Sequence, residues 1–224
     1  MNVNTTLAEL AIQSPVATKV FHRYGLDFCC KGARSLDEAC RAKSLEPAAV
    51  LAEIAAEGAA PAGEGRWSAA PLDRLIDHIV ARYHDPLREE LPRLTAMARK
   101  VEAVHADKPS RPVGLADHLA AVQTELEAHL EKEERILFPM IRAGRPPHMP
   151  VQVMVKEHDD HAANLRRTRE LTQDFTPPPE ACTTWRALFM GLGALEQELM
   201  EHIHLENYVL FPRSLTEAPH PEHV

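Results

Sequence analysis

The stretch His129–Pro139 reads HLEKEERILFP, and His202–Pro212 answers it with HIHLENYVLFP. Both spell His-x-x-x-Glu-x-x-[Ile/Val]-Leu-Phe-Pro. On a helix, residues four apart lie about 40° around the axis and about 6 Å along it, so His129 with Glu133, and His202 with Glu206, each aim two donors at one point. The echo extends upstream, where His84-Asp85 followed by Leu91 is matched by His158-Asp159 followed by Leu165. Each half is therefore one helix with a single histidine and one helix with the pair. Four imidazoles and two carboxylates from four helices converge where bundles build metal sites. Such donors suit iron, manganese or zinc, and the lack of thiolate in the set argues against a structural zinc. Two metals fit the set better than one: with both glutamates bridging, the six residues fill about eight of twelve positions, leaving room for a solvent or oxo bridge and a small exogenous ligand.

A lone histidine on an apolar helix face is ordinarily a hydrogen-bonded core residue. A duplicated set of six is different, because burying two carboxylates without a cation costs several kcal/mol each. Among the 13 histidines, His161 shares a face with His158, and the repeat alignment selects His158. His204, two residues from His202, is expected to face away, and His118 to be a core or supporting residue three turns below His129. His78, His105, His148, His220 and His223 read as surface. Pro86, beyond His84, should kink its helix or mark a local irregularity.

The elements that must position these residues are helices. Aromatic residues make up only 5% of the 224 residues, and long stretches rich in Ala, Leu, Glu and Arg carry no Gly, which favours helix throughout. Four long patterns, Leu72–His105, Gly114–Ala143, Pro150–Asp174 and Cys182–Leu215, are separated by DKPSRPV, GRPPHMP and TPPPE, short Pro-rich breaks of the kind that join antiparallel helices in a bundle. Leu115, Leu119, Val122, Leu126 and Leu130 recur at three- and four-residue steps as a core stripe. Ahead of them, residues 1–57 read as a small helical domain, with Ser35 as an N-cap and Glu38 three residues on. Residues 58–71, GAAPAGEGRWSAAP, read as a linker, and 72–216 as the bundle. The fold class is all-α. A net charge of -8 offers no field for a phosphate backbone, so nucleic acid is not expected as a partner. The opening MNVNTTLAEL lacks the marks of a signal peptide, and no window approaches about 18 uncharged apolar residues. No membrane role and a cytoplasmic location are expected, in keeping with four cysteines that form no secreted-type framework.

With YGLDFCCKGARSLDEAC near the N-terminus, then EKEERILFP and HIHLENYVLFPR, the chain resembles, over essentially its whole length, the iron–sulfur cluster repair di-iron family, whose C-terminal part is a hemerythrin-like antiparallel four-helix bundle. The resemblance implies two non-haem iron ions, oxo- and carboxylate-bridged, held by His84, His129, Glu133, His158, His202 and Glu206, the six that the spacing selects. It implies repair of clusters damaged by nitrosative or oxidative stress, through iron donation or nitric oxide chemistry, with nitric oxide reduction or redox repair as the associated activity. Damaged iron–sulfur proteins and nitric oxide or oxygen are the partners it implies; a homodimer is open to the chain, its oligomeric state not being written in the sequence. Glu125, one turn before His129, and Glu157, beside His158, match acidic positions near the di-iron centre, where carboxylates guide iron or protons. The competing reading is a hemerythrin-like carrier or sensor of oxygen or nitric oxide.

Cys29 and Cys30 are adjacent, and adjacent cysteines close only a strained small ring, so the pair reads as a dithiol that meets iron, a nitrosyl species or a partner thiol. Lys31, Arg34 and His22 are near enough in sequence to depress a thiol pKa. Cys40 and Cys182 read as buried structural residues.

Overall fold

In the computed structural model, residues 2–57 and 67–216 are described; residues 58–66 of the expected linker, and His220 and His223, lie outside them. The ordered elements are α1 (Leu7–Gln13), α2 (Val16–Arg23), α3 (Leu36–Arg41), α4 (Pro47–Glu57), α5 (Leu72–Ile79), α6 (Asp85–Val104), α7 (Leu115–Lys132), α8 (Phe138–Arg142), α9 (His148–Thr172), α10 (Thr183–Leu205) and α11 (Phe211–Thr216). Three π-helical turns, Val80–His84, Glu133–Leu137 and Glu206–Leu210, join α5 to α6, α7 to α8 and α10 to α11 without interrupting the helix. The all-α expectation holds, and the four long helices run within about two residues of the bounds read from sequence pattern. Among the described residues the β structure is one isolated antiparallel bridge, Thr6 with Ser35.

The chain divides into two compact units, one taking in Met1–Ile76 with Leu199–Glu217 and the other Asp77–Glu198. In the first unit, two capping boxes start short helices. Thr6 Oγ1 accepts from Glu9 N at 3.2 Å while Thr6 N donates to Glu9 Oε2 at 3.1 Å. Ser35 and Glu38 repeat the exchange at 3.2 Å in both directions. The caps pair through the Thr6–Ser35 bridge, with Leu7 N donating to the Arg34 carbonyl and Leu36 N to that of Thr5. Reciprocal capping offsets the poor intrinsic stability of helices only seven and six residues long. Behind the caps, Leu7, Leu10, Val20, Phe21, Phe28, Leu36 and Ile54 are buried to 1% exposure or less. The end of the chain belongs to this same unit: Thr18 Oγ1 donates to Glu201 Oε1 at 2.9 Å, and Arg213 donates to the carbonyls of Trp67 and Ala70 at 2.6 Å.

In the second unit α7 packs against α6 on one side and α9 on the other. Its stripe of Leu115, Leu119, Val122, Leu126 and Leu130 is buried throughout, facing a core that includes Leu94 and Ala98 of α6 and Met154 of α9. Glu196, 3% exposed, takes a forked hydrogen bond from Arg169 at 2.8 and 2.5 Å, joining α9 to α10.

The irregularity expected at Pro86 is a π turn, and it recurs. Each π turn ends one residue before an X-Pro step: Asp85-Pro86, Phe138-Pro139 and Phe211-Pro212. A proline inside a helix has no N–H and its ring collides with the carbonyl four residues back. Widening the preceding turn relieves that collision, so Asp85 N bonds the carbonyl of Val80, Phe138 N that of Glu133, and Phe211 N that of Glu206. The proline of the repeated Leu-Phe-Pro motif therefore accounts for a wide turn starting at each glutamate of the two His-x-x-x-Glu pairs.

Candidate metal centre

His129 lies in the last turn of α7 and Glu133 opens the π turn after it, while His84 is the last residue of the π turn after α5 and His158 lies midway along α9. In the second unit these elements bring the four together. His84, Glu133 and His158 are 0% exposed and His129 1%. The donor atoms of His129, Glu133 and His158 lie within 4.8 Å of one another, with the Nε2 atoms of His129 and His158 3.2 Å apart. Glu133 turns its two oxygens to different imidazoles: Oε2 is 3.5 Å from His84 Nε2, and Oε1 is 3.6 Å from His129 Nε2. These distances exceed a good hydrogen bond and suit two ligand bonds of about 2.1 Å meeting at a shared cation. A buried carboxylate facing an imidazole with each oxygen offers the oxygen and nitrogen donors of a cation site, so the residues present fit a metal.

The outer edges of two rings are held by acids. His84 Nδ1 donates to Glu134 Oε1 at 2.8 Å, and Arg88 donates to the same oxygen at 2.8 Å. Burial pushes the Glu134 carboxyl up, but its bonds from Arg88 and His84 outweigh this and hold it below the usual carboxylate range. His129 Nδ1 donates to Glu157 Oε2 at 2.9 Å, and Lys132 bonds the other Glu157 oxygen. A carboxylate accepts, so the proton sits on Nδ1 and the Nε2 lone pair is left pointing inward, as a metal ligand requires. Phe138 stacks on His84 with centroids 5.7 Å apart.

In the first unit His202 and Glu206, 1% and 0% exposed, meet at 2.9 Å between Nε2 and Oε1. Two donors bound at right angles to one cation with bonds of about 2.1 Å stand about 3 Å apart. His204 is buried at 4%, turned against the N-terminal segment: its ring lies 5.7 Å from Phe28 and 5.4 Å from Tyr208. Burial lowers its pKa to about 4 despite a hydrogen bond to the Phe28 backbone.

The remaining candidates separate by their contacts. Glu157 serves His129 rather than His158, and Glu125 is exposed and accepts from Asn164 Nδ2 at 2.7 Å. Glu134 was not singled out by sequence pattern, since its place in the second repeat is taken by Asn207; only the fold sets it against His84. His161 is buried, with its ring 4.8 Å from that of His129, and half-buried His118 bonds the Asn164 carbonyl and Thr168. Of the histidines read as surface, His148 is exposed and His78 and His105 are half-buried. Cys29 and Cys30 are not joined in a disulfide, their Sγ atoms standing 3.7 Å apart. Cys40 is buried as expected. Cys182 is not: it is exposed, because it immediately precedes α10, where His105 Nε2 at 3.2 Å and the backbone N–H groups of Trp185 and Thr184 hold its thiol below the ordinary range.

Residues 75–214 match the Hemerythrin HHE cation binding domain, and residues 3–57 match a Domain of Unknown function, DUF542. The chain is 50% identical over 212 residues to the iron-sulfur cluster repair protein YtfE of Musicola paradisiaca, a span of 94% of this chain and 96% of that protein. It is 49% identical over 211 residues to the protein of that name from Citrobacter koseri and 48% identical over 211 residues to that of Escherichia coli O17:K52:H18, covering 93% of this chain and 96% of the relative in each case.

Proposed function

This chain belongs to the family of the iron–sulfur cluster repair proteins YtfE, with a hemerythrin cation-binding domain, and on that premise we propose that it restores iron–sulfur clusters damaged by nitrosative or oxidative stress. The observation that carries the reading is identity near one half over nearly the whole of both chains. Damaged iron–sulfur proteins are then its clients, and nitric oxide or oxygen its small ligands. Iron donation and nitric oxide reduction are the two chemistries open to it. A cytoplasmic location accords with four free cysteines, and among the described residues no helix is long and apolar enough to cross a membrane.

The centre we propose is a di-iron site held by His84, His129, Glu133, His158, His202 and Glu206. Its support is the pose of Glu133, the close pairing of His202 with Glu206, and a single cation-binding domain match that spans all six. Bound iron supplies one-electron chemistry and open positions for small ligands. The chain's own part is to fix the two imidazoles through Glu134 and Glu157, to keep bulk water from the buried carboxylates, and to offer the Cys29–Cys30 dithiol as a second reactive group. The test is recovery of a nitric-oxide-damaged iron–sulfur enzyme on addition of the iron-loaded, reduced protein, with Glu133→Ala expected to lose both iron and recovery. An enzyme that stays inactive with the wild-type chain, in an assay where free iron plus thiol succeeds, sinks the repair reading in favour of a gas carrier or sensor.

A further inference from the structure

Gly25, at φ +60°, turns the chain out of α2 into the loop that carries Asp27, Cys29 and Cys30. Asp27 Oδ1 accepts the backbone N–H of Cys30 at 2.9 Å and of Lys31 at 3.3 Å, which curls the loop around the carboxylate and brings both thiols onto it. Cys29 Sγ lies 3.4 Å from Asp27 Oδ1 and 3.7 Å from Cys30 Sγ, and one donor atom from each of the three falls within 4.8 Å of the others. A tetrahedral cation with metal–sulfur bonds of about 2.3 Å and a metal–oxygen bond of about 2.1 Å has a sulfur–sulfur edge of about 3.8 Å and a sulfur–oxygen edge of about 3.6 Å. The observed edges are close to both. They are far from the roughly 2.05 Å of a disulfide.

The loop is held from behind within its own unit. Asn207 Nδ2 donates to the Cys29 carbonyl at 3.0 Å, and the Gly32 and Ala33 backbone bonds the Tyr208 hydroxyl. A Cβ on Gly32 would stand 2.3 Å from the Phe28 carbonyl oxygen and 2.9 Å from the Tyr208 ring, so the glycine is what lets the loop lie this close. Cys29 is 1% exposed while Cys30 is half-buried. Three acidic groups crowded in this way resist ionising together: the Cys29 thiol is pushed well up, first by its hydrogen bond with Cys30, then by burial and by Asp27. A dication removes that resistance.

We propose that Asp27, Cys29 and Cys30 form a second metal site, separate from the imidazole–carboxylate residues, for a thiophilic divalent cation such as zinc(II) or ferrous iron. Binding exchanges two thiol protons for two metal–sulfur bonds, with no change of oxidation state, and the carboxylate completes a site of net charge −1. Three protein donors leave the fourth tetrahedral position to water or to a thiolate from another molecule. The site does not rest on the repair reading, because a chain that repairs nothing still binds the ion here.

The probe is cadmium(II), titrated anaerobically into the full-length, iron-loaded, reduced protein carrying Cys182→Ser. The expected result is one equivalent bound with a sulfur-to-cadmium charge-transfer band, which the imidazole–carboxylate residues lack the sulfur to produce. Cys29→Ser with Cys30→Ser removes the band. Asp27→Asn keeps the acceptor for the Cys30 and Lys31 N–H groups while giving up the anionic ligand, and should weaken cadmium binding roughly tenfold or more with an unchanged melting curve in the absence of cadmium. Zinc or ferrous iron added first should compete for the same thiolates and raise the cadmium needed to reach half of the band. No band in the parent protein, or an Asp27→Asn variant that binds as tightly as its parent, overturns the proposal. Repair assayed on the same samples reads out separately.

Discussion

Glu134 shows how much of a metal site lies one residue outside its ligands. A histidine ring turns freely about two bonds unless its far nitrogen is held, and here Glu134 holds His84 while Arg88 holds Glu134. Glu157, kept in place by Lys132, does the same for His129. Replacing Glu134 by Gln preserves the shape of the side chain but lets either its oxygen or its nitrogen face the ring, so the Nδ1 tautomer is no longer enforced. Iron affinity should fall roughly 10- to 100-fold with little change in helicity, read by chelator competition and circular dichroism. An unchanged affinity would mean that packing against Phe138 alone orients His84. The six proposed ligands were legible because a fixed spacing was written twice. Glu134 was not, because the acid and its histidine are 50 residues apart and the second repeat has no equivalent. Cys182 was misread for a related reason: cysteine is among the residue types most often buried, and only the start of α10 and the partner at His105 show that it is exposed.

At the scale of elements, the prolines of the repeat matter as much as its histidines. Periodicity located the four long helices, since apolar stripes and Pro-rich breaks are strong local signals. It did not foresee three π turns, because a π turn inserts one residue into a helix without altering its composition. The cause was nonetheless present in the sequence as Pro86, Pro139 and Pro212, each following the last residue of a wide turn by two positions. In an α-helix the rotation between His129 and a residue beyond Glu133 would be about 100° per residue, and the wide turn delays it. Substituting both Pro139 and Pro212 by Ala removes the ring that collides with the preceding carbonyl and lowers the energy of ordinary α-helix by about 3 kcal/mol at each place. Helicity by circular dichroism should be retained or rise slightly while iron per chain falls. If iron stays at the parent level, the π turns are held by the side chains around them and not by proline.

For the whole molecule, the consequential observation is that residues from the two ends of the chain share one compact unit, Met1–Ile76 with Leu199–Glu217. The family matches divide the chain at a different place, residues 3–57 and 75–214. A sequence read from left to right suggests a small domain, a linker and a bundle with separable folding, because composition changes sharply at the Ala-, Gly- and Pro-rich stretch. Side-chain contacts within the unit describe a different dependence. His204 is neutral and buried against Phe28, the Tyr208 hydroxyl is bonded by the Gly32 and Ala33 backbone, and Glu201 accepts from Thr18. All three positions lie within five residues of His202 or Glu206. A chain beginning at residue 67 would expose His204, Tyr208 and the apolar residues around them, each large side chain so uncovered forfeiting about 1.5–3 kcal/mol. It would also leave the segment bearing His202 and Glu206 without the surface that orders it. The truncated chain should melt at a lower temperature and bind less iron than the full chain. Adding residues 1–57 as a separate polypeptide should restore part of both, which calorimetry and metal analysis on the same samples would show. Equal melting temperature and iron content in the truncated and full chains would instead establish that the bundle folds and loads its metal alone, and that the N-terminal segment contributes only its thiols.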